Sequence, residues 1–408
     1  MRPRMANVLY LVHRLPYPPN KGDKVRSYHL LKHLAARHRV FLGTFIDDPD
    51  DERHVDVVRG LCAELHIARL DPRWARVKSL TGMATGEALT LPYYRDAGLR
   101  AWVGRIRRDN VIDAVVVFSS AMAQYVEPGG RAPVVVDFVD VESAKWTQYA
   151  PAHRWPMSWL YRREGARLLA FERATALRAA RGFFVTENET DLFRQLAPEA
   201  AARVEAIGNG VDADFFAPED GRASPYRADE VPVVFTGAMD YWPNIDAVTW
   251  FVQDMLPALR ARCPGVCFWI VGRSPAAQVQ SLAGEGVRVT GTVDDVRPYL
   301  QHAAVVVAPL RVARGIQNKI LEAMAMARPG VASAGCAGVI EAVPGEELLP
   351  AAEAGDYVDT VAGLIADPAR AARIGAAARR RVVARYSWEA SMAGIDRYLQ
   401  PASGEAAA

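Results

Sequence analysis

The sequence predicts an α/β protein of two domains, each built on a doubly wound parallel sheet of the Rossmann-like kind. Three observations support this prediction. The 408 residues exceed what one hydrophobic core usually holds and suit two domains of about 200 residues each. Short β-branched runs alternate with helical patterns, as expected for parallel strands joined by crossover helices. A polar, turn-rich linker at 218–230 separates two copies of this pattern.

The first domain, predicted at 1–217, opens on a buried strand that is followed by a helix. Lys24–His38 is predicted to be helical because Val25, Leu30 and Leu34 repeat at helical spacing. The predicted strands of this half are Val8–Val12, Val40–Phe45, Ala114–Phe118, Val134–Asp137, Gly182–Thr186 and Val204–Ile207.

The pattern begins again after the linker and predicts a second domain at 231–385. A helix Asn244–Arg262 follows its first strand, and residues 386–408 are predicted to form a closing helix and a frayed tail. In this architecture ligands bind in a crevice at the carboxyl ends of the strands, between the domains. The other predicted elements are the strands Val231–Gly237, Val266–Gly272, Val287–Thr290, Ala304–Pro309 and Gly330–Ser333 and the helix Asn318–Ala327.

Composition narrows the class of protein. Hydrophobic residues make up 50% of the chain and charged residues 24%, a balance that excludes a disordered protein. A net charge of +2 gives no general field that would favour nucleic acid, so we predict no nucleic-acid partner. No apolar run approaches the roughly 20 residues that cross a bilayer. Four scattered cysteines indicate reduced thiols and a cytoplasmic location.

Two patterns that resemble metal sites have simpler explanations. Asp212 and Asp214 form an Asp-x-Asp pair, but they follow Asn209-Gly210-Val211, where turn chemistry accounts for them. His29 and His33 are spaced i, i+4 but lack the Glu and the third ligand of a zinc enzyme. We therefore predict no metal and no cofactor.

The most informative segment, 308–333, has the pattern of a strand, a glycine-containing turn, a helix and a strand. A helix that opens after Gly315 presents unpaired N–H groups and the positive end of its dipole, which suits a diphosphate. Lys319 adds a cation in the first turn. Glu322 follows about one turn later, where its carboxylate can accept both hydroxyls of a ribose. The spacing alone also fits an amphipathic helix with both side chains in solvent.

This segment resembles the donor-site signature of glycosyltransferase family 4, a retaining group with the GT-B fold. In that family a Glu, seven residues and a second Glu are followed by Ala-Met-Ala. Glu322 matches the second Glu, which in the family holds the donor ribose. Arg314 occupies the place of the first, which usually touches the donor sugar; Arg314 and Lys319 can instead bind the diphosphate. The resemblance implies further donor contacts from Ile316, Gln317 and Asn318.

Other motifs agree with the family along nearly the whole chain. Residues 207–218 resemble its domain junction, and 386–389 resemble the start of the helix that crosses back onto the first domain. The opening segment 16–26 is similar to that of the subgroup found at exosortase-linked exopolysaccharide loci. The resemblance therefore implies a GT-B fold and a role in exopolysaccharide or glycolipid assembly.

The turn from Gly237 to Asn244 resembles the turn after the second domain's first strand in the family. Many relatives carry an Arg and a Lys there for the donor phosphates, and this chain has neither. The resemblance therefore implies that Arg311 or Arg273, besides Lys319 and Arg314, binds the donor phosphates. Val293 follows a strand whose end is expected to surround the base.

Two features of the first domain are candidates for donor contacts. Gly22 precedes a helix, and with Lys21, Lys24 and Arg26 it predicts a cationic loop like the one that meets the donor phosphates in relatives. A solvated helix start explains the same pattern. Asp137 ends a strand near the place where relatives have a sugar-contacting His, so we assign it sugar orientation; a capping or turn role is the alternative.

Two basic stretches rich in tryptophan indicate an acceptor at a membrane. Such surfaces suit anionic lipid headgroups, although a solvated basic helix explains them equally well. A polyprenyl-linked or glycan acceptor would fit a peripheral protein at the inner face of the cell membrane. The stretches contain Trp74, Arg76, Lys78 and Leu80, then Trp155, Trp159, Tyr161, Arg162, Arg163 and Arg167.

The predicted function is transfer of a hexosyl-type sugar, with retention, from a nucleotide diphosphate sugar, preferably uridine-based, to an acceptor hydroxyl. The catalytic residues predicted from the resemblance are Asp137, Arg314, Lys319 and Glu322. Two alternatives stay open, a sugar-nucleotide 2-epimerase and a non-catalytic sugar-nucleotide-binding protein.

Overall fold

The computed structural model describes residues 5–19, 22–127, 129–311 and 316–399. The described residues up to Asn209 and from Ser391 form one compact unit, the first domain, and Gly210–Ala390 form the second. Proximity within one structure does not measure which segments fold alone, so the boundaries predicted at 217, 230 and 385 stay predictions. Within the described residues, no helix is both long and apolar enough to cross a membrane.

The first domain is built on seven parallel strands. Their order is β3-β2-β1-β4-β5-β6-β7, which changes direction between β1 and β4. Every residue of β4 is buried, as expected for a central strand that is covered on both faces. The strands are β1 (Asn7–Val12), β2 (Arg39–Ile46), β3 (Glu64–Arg69), β4 (Ala114–Phe118), β5 (Val134–Val139), β6 (Arg181–Phe184) and β7 (Val204–Ala206).

Three helices of the first domain, α3, α6 and α9, begin at a side-chain cap. Asp96 accepts a hydrogen bond of 2.7 Å from the Leu99 amide and starts α6, whose buried residues recur at helical spacing. The α-helices are α1 (Gly22–Ala35), α2 (Val55–Arg59), α3 (Pro72–Ser79), α4 (Thr81–Thr85), α5 (Thr90–Tyr93), α6 (Ala97–Asp109), α7 (Glu142–Tyr149), α8 (Met157–Arg178) and α9 (Glu187–Leu196). Short 3₁₀ turns span Pro49–His54, Ser120–Tyr125, Ala150–Ala152 and Pro198–Arg203.

The second domain repeats the plan with six parallel strands. Their order is β10-β9-β8-β11-β12-β13, so the direction changes between β8 and β11. The strands are β8 (Val231–Thr236), β9 (Val266–Val271), β10 (Val287–Gly291), β11 (Val305–Ala308), β12 (Gly330–Ser333) and β13 (Leu349–Ala351). The helices are α10 (Trp242–Trp250), α11 (Leu256–Arg262), α12 (Ala277–Gln280), α13 (Arg297–Gln301), α14 (Asn318–Ala325), α15 (Ala334–Ala337), α16 (Ala354–Ala366), α17 (Pro368–Arg385) and α18 (Trp388–Asp396).

The helix predicted as continuous from Asn244 to Arg262 is interrupted by a π-helical turn at Phe251–Met255. The Leu256 amide bonds to the Phe251 carbonyl, five residues back. Pro257 follows, and because it has no N–H it cannot continue the regular ladder. A wider turn before the proline keeps the two helical pieces, α10 and α11, in register.

The closing helix α18 comprises residues that are grouped with both domains. At its start, Val211 and Ser387 form a parallel bridge. At its end, Asp396 pairs with His33 at 2.7 Å. A Cβ at Gly210 would collide with the backbone of Trp388, so this junction needs a glycine.

Candidate functional site

The switch point between β8 and β11 positions the candidate site of the second domain. Loops leave the carboxyl ends of both strands there, and in doubly wound sheets this is where ligands bind. The loop after β8 leads into α10, and the segment after β11 leads into α14. The side chains that converge at this point come from α10 and α14.

The loops after β8 and β9 are packed backbone against backbone. The Gly237 amide donates to the Val271 carbonyl at 3.0 Å, and the Met239 amide donates to the Arg273 carbonyl at 2.8 Å. A Cβ at Gly272, where φ is +153°, would overlap the Gly237 carbonyl. Glycine is therefore required at position 272, and the floor of the site is made of fixed peptide groups.

Asn244 connects this floor to α14. Its side-chain amide is almost fully buried and donates from Nδ2 to the Ala238 carbonyl at 2.9 Å. Its Oδ1 accepts from Lys319 Nζ at 2.6 Å. Asn244 therefore holds the loop and the lysine at once.

Lys319 lies over the ring of Phe235, with Nζ 4.0 Å from the ring centroid. Burial lowers the pKa of Lys319 to about 7, while the Glu322 carboxylate opposes this shift. No carboxylate in the part of the chain that the structure describes is ion-paired to it. Its charge is thus held by a neutral amide and an aromatic face, and a bound anion would stabilise the protonated form.

Glu322 lies one turn after Lys319 on α14 and is half-buried. Burial raises the pKa of Glu322 to about 7, and the charge of Lys319 opposes the rise. The pKa of Lys319 is lowered and the pKa of Glu322 is raised, and both side chains lie on one face of α14. A ligand that supplies an anion to Lys319 and hydroxyl donors to Glu322 would stabilise the ionised form of both.

The start of α14 is described from Ile316 onward. Gln317 precedes the helix in an extended conformation, and its side chain does not cap it. Ile316 is 37% exposed and Asn318 is exposed as well. The first-turn amides of an uncapped helix are anion donors. Arg314, predicted as a catalytic residue, lies outside the described residues.

The two arginines expected to replace the family's phosphate cations differ in their surroundings. Arg311 donates from Nε to Asp246 at 3.0 Å and stacks on Trp250, so its guanidinium is already bound. Arg273 is exposed beyond β9. Val293, predicted near the base, is half-buried after β10 and packs on the apolar cluster that contains Val234.

In the first domain, the charged candidates for donor contacts are neutralised by ion pairs within the protein. The prediction of a cationic loop is wrong for Lys24 and Arg26, because both are buried in ion pairs, and Lys21 lies outside the described residues. Lys24 Nζ lies 2.6 Å from Asp51, and Arg26 Nε lies 2.7 Å from Asp137. Gly22 is exposed at the start of α1, with open space around its Cα.

Asp137 is 1% exposed, and its carboxylate is committed to Arg26. Burial raises the pKa of Asp137, and the Arg26 guanidinium opposes that rise. Asp137 also accepts from the Val139 amide at 3.2 Å, where the backbone has a φ of +69°. Its predicted contact with a donor sugar stays a prediction, and in this structure the side chain supports a strained turn.

Asn244 lies in a sequence motif, but no role was predicted for it. Asn244 and Lys319 are 75 residues apart, and no spacing rule joins them. The available signal was the absence of cations from the turn after Gly237, together with a buried amide at the start of a helix. A neutral hydrogen-bonding side chain there implies that the cation comes from elsewhere.

A family model and several solved structures are similar to this chain. Residues 230–367 match the family model described as Glycosyl transferases group 1, so the second domain carries that domain. The matched residues include Gly237, Asn244, Lys319 and Glu322. No curated protein matches the chain.

Solved structures of the same fold cover nearly the whole chain. HepE of Anabaena, solved in complex with UDP, is 17% identical with a TM-score of 0.61, over 96% of this chain and 99% of HepE. The sucrose-phosphate synthase of Thermosynechococcus elongatus is 19% identical with a TM-score of 0.60, over 96% and 98% of the two chains. WaaG, a glycosyltransferase involved in lipopolysaccharide biosynthesis, is 17% identical with a TM-score of 0.57, over 96% and 99%. The predicted GT-B fold is confirmed.

Proposed function

We propose that this chain transfers a sugar from a nucleotide diphosphate sugar to an acceptor hydroxyl. The observation that carries the proposal is the ammonium of Lys319, held by the neutral amide of Asn244 in the first turn of α14. A cation there opposes the helix dipole unless an anion binds. The match of 230–367 to Glycosyl transferases group 1 supports the same conclusion.

Uridine is the proposed base, and Glu322 is the proposed partner of the ribose hydroxyls. HepE was solved in complex with UDP and with UDP-glucose, which supports a uridine donor for a chain of the same fold. The half-buried carboxylate of Glu322 lies one turn from Lys319 on α14, so one bound donor can contact both side chains.

The proposed reaction keeps the configuration of the sugar. The bond from the anomeric carbon to the diphosphate breaks, and a bond to the acceptor oxygen forms on the same face. The proton of the acceptor hydroxyl passes to the departing phosphate, so no strong protein base is needed. Lys319 and the first amides of α14 stabilise the charge that develops on the diphosphate. We propose that these groups act without a metal.

The proposed acceptor is a glycan or a polyprenyl-linked glycan in exopolysaccharide or glycolipid assembly. Support comes from the resemblance of 16–26 to the exopolysaccharide subgroup and from the basic, tryptophan-rich stretches of the first domain. We propose that the protein works in the cytoplasm at the inner face of a membrane.

Calorimetry against a panel of nucleotide sugars identifies the donor, after which variants test the site. Lys319→Ala and Glu322→Ala are each expected to lower kcat/KM by about 100-fold, as loss of one preorganised charge partner does. Lys32→Ala removes an exposed lysine of α1 and serves as the matched control. Unchanged kinetics in both site variants would overturn the assignment.

Two other outcomes would replace the proposal. Epimerised donor in the absence of any acceptor would identify a 2-epimerase. Tight donor binding with no turnover across an acceptor panel would identify a sugar-nucleotide-binding protein. Arg314 favours this alternative because it replaces the Glu that usually touches the donor sugar in the family.

A further inference from the structure

Large apolar side chains are exposed on two neighbouring elements of the first domain. On α3 and α4, Trp74 is 68% exposed, and Val77, Leu80 and Met83 are exposed as well. At the start of α8, Trp155 is 81% exposed and Trp159 is 49% exposed. Such side chains usually bury their surface, so two clusters of them in one domain point to a partner.

The fold holds these two elements together, although they are far apart in the sequence. Arg163 of α8 donates from Nη2 to the Gly82 carbonyl of α4 at 2.7 Å. The next residue, Glu164, is 3% exposed and accepts from the Leu89 and Thr90 amides at 2.6 and 2.9 Å. Trp159 lies one turn before Arg163, and Met83 follows Gly82, so this hydrogen bond brings the two apolar clusters near each other.

The charge on this surface is mainly positive, with Asp71 and Glu87 at the borders of its first segment. Residues 72–86 and 153–163 contain no Asp or Glu. Four exposed arginines flank the tryptophans, and none of them is ion-paired to a described carboxylate. They are Arg73, Arg76, Arg154 and Arg162.

We propose that this tryptophan–arginine surface, Trp74, Val77, Leu80, Met83, Trp155 and Trp159 with the four arginines, docks on an anionic phospholipid bilayer. Apolar side chains enter the headgroup boundary while arginines pair with lipid phosphates. Nucleic acid offers no apolar layer for Val77, Leu80 and Met83. A second copy of the chain would bring like-charged arginines together across a two-fold axis.

This surface gives the proposed function a location. It lies wholly on the first domain, while Lys319 and Glu322 lie on the second. Lipid binding can therefore be measured apart from donor binding. If the chain binds lipid but no nucleotide, the proposed function is contradicted and the proposed lipid-binding surface is supported. If it binds nucleotide but no lipid, only the proposed lipid-binding surface is contradicted.

The experiment is flotation of the full chain with vesicles of phosphatidylcholine, with and without phosphatidylglycerol. We expect flotation only with phosphatidylglycerol, weakened by salt. Trp155→Ser with Trp159→Ser, and separately Arg76→Glu with Arg162→Glu, should each lower the bound fraction about tenfold or more. The matched controls are Trp242→Ser and Arg373→Glu, exposed residues of the second domain that should float like the parent.

Circular dichroism of each variant separates lost binding from lost folding, and all the changed residues are exposed. Three results would overturn the proposal: no flotation of the folded parent, flotation that the surface variants do not alter, or a lipid-free dimer or nucleic-acid complex that those variants disrupt. Quenching of tryptophan fluorescence by brominated lipid, reduced by Trp155→Ser with Trp159→Ser and reduced further by Trp74→Ser, would locate the contact.

Discussion

The two domains share a strand plan but differ in one cation at the carboxyl ends of their strands. Arg311 of the second domain is paired with a carboxylate, like the cations of the first domain, whereas Lys319 is not. In the first domain, Arg14, Lys24 and Arg26 are paired with carboxylates at 2.6–2.7 Å. In the second, Lys319 is held by the neutral amide of Asn244. A cation that already has a carboxylate gains little from a new anion, whereas Lys319 gains its full counter-charge from one.

The difference indicates that the paired cations of the first domain stabilise its structure, whereas Lys319 of the second domain can bind a ligand. Buried pairs such as Arg26 and Asp137 fix the loops of the first domain. Their cost in desolvation is offset only while both partners are present. Lys319 is destabilised until a ligand arrives, which is a common state for a binding residue.

The largest expected effect comes from breaking a pair in the first domain. Asp137→Ala leaves Arg26 buried without a partner and should lower the free energy of unfolding by about 3–5 kcal/mol, measured by urea unfolding. Arg26→Met combined with Asp137→Leu should recover most of the loss.

Asp140→Ala is the control, because the Asp140–Lys145 pair is partly exposed and should cost at most about 1 kcal/mol. In Asp137→Ala, the fraction of the protein that stays folded should bind UDP with unchanged affinity. A variant at Asp137 that stays stable, binds UDP normally and loses turnover would instead support the predicted sugar contact.

The next largest effect is expected from giving Lys319 a carboxylate partner, like those of the cations in the first domain. Asn244→Asp places a carboxylate against Lys319, so the ammonium is neutralised before UDP arrives. UDP affinity should fall about tenfold or more in calorimetry. Uridine, which carries no phosphate, should bind Asn244→Asp and the parent equally. Equal UDP affinity would mean that Lys319 does not serve the diphosphate.

The pH dependence of UDP binding sharpens the comparison further. Lys319 has a pKa of about 7 in the free protein, so it is protonated below pH 7 and must take up a proton to bind an anion above it. Affinity should therefore fall as pH rises above about 7, by up to about tenfold per pH unit. Lys319→Arg keeps its charge, and its profile should be flat from pH 7 to 9. A flat profile in the parent would contradict the assignment.

The smallest expected effect is that of a chelator. If Lys319 and the α14 amides supply the charge for the diphosphate, EDTA should leave turnover unchanged. A loss of activity that Mg²⁺ or Mn²⁺ restores would show that the charge comes from a metal.

The sequence predicted the central strands well because their patterns are strong. Ala114–Phe118 matches β4 to the residue, since a buried parallel strand is apolar throughout. Two of the four edge strands, β3 and β13, were not predicted, whereas the edge strands β7 and β10 were. Glu64, His66 and Arg69 interrupt the apolar pattern of β3, and β13 has only three residues with Pro350 at its centre. Edge strands need only one neighbour, so sequence constrains them less.

The site was only partly predictable, for a different reason. Lys319 and Glu322 follow from a local motif on one helix, and their shared location is clear from spacing. The sequence does not show whether a charged side chain is paired, so Lys24 and Arg26 were expected on the surface and are buried. The partner of Lys319 also required the fold, because strand order brings Asn244 to α14.

The contact between Gly237 and Gly272 limits how this protein can be engineered. Where two peptide groups touch directly, no side chain is available to enlarge, shrink or recharge the pocket, and any residue added at position 272 displaces the loop before it meets a substrate. A mutagenesis library aimed at a new donor should leave both glycines constant. Diversity belongs at the exposed positions around them, Tyr241, Trp242 and Arg273, where changes alter the walls and spare the floor.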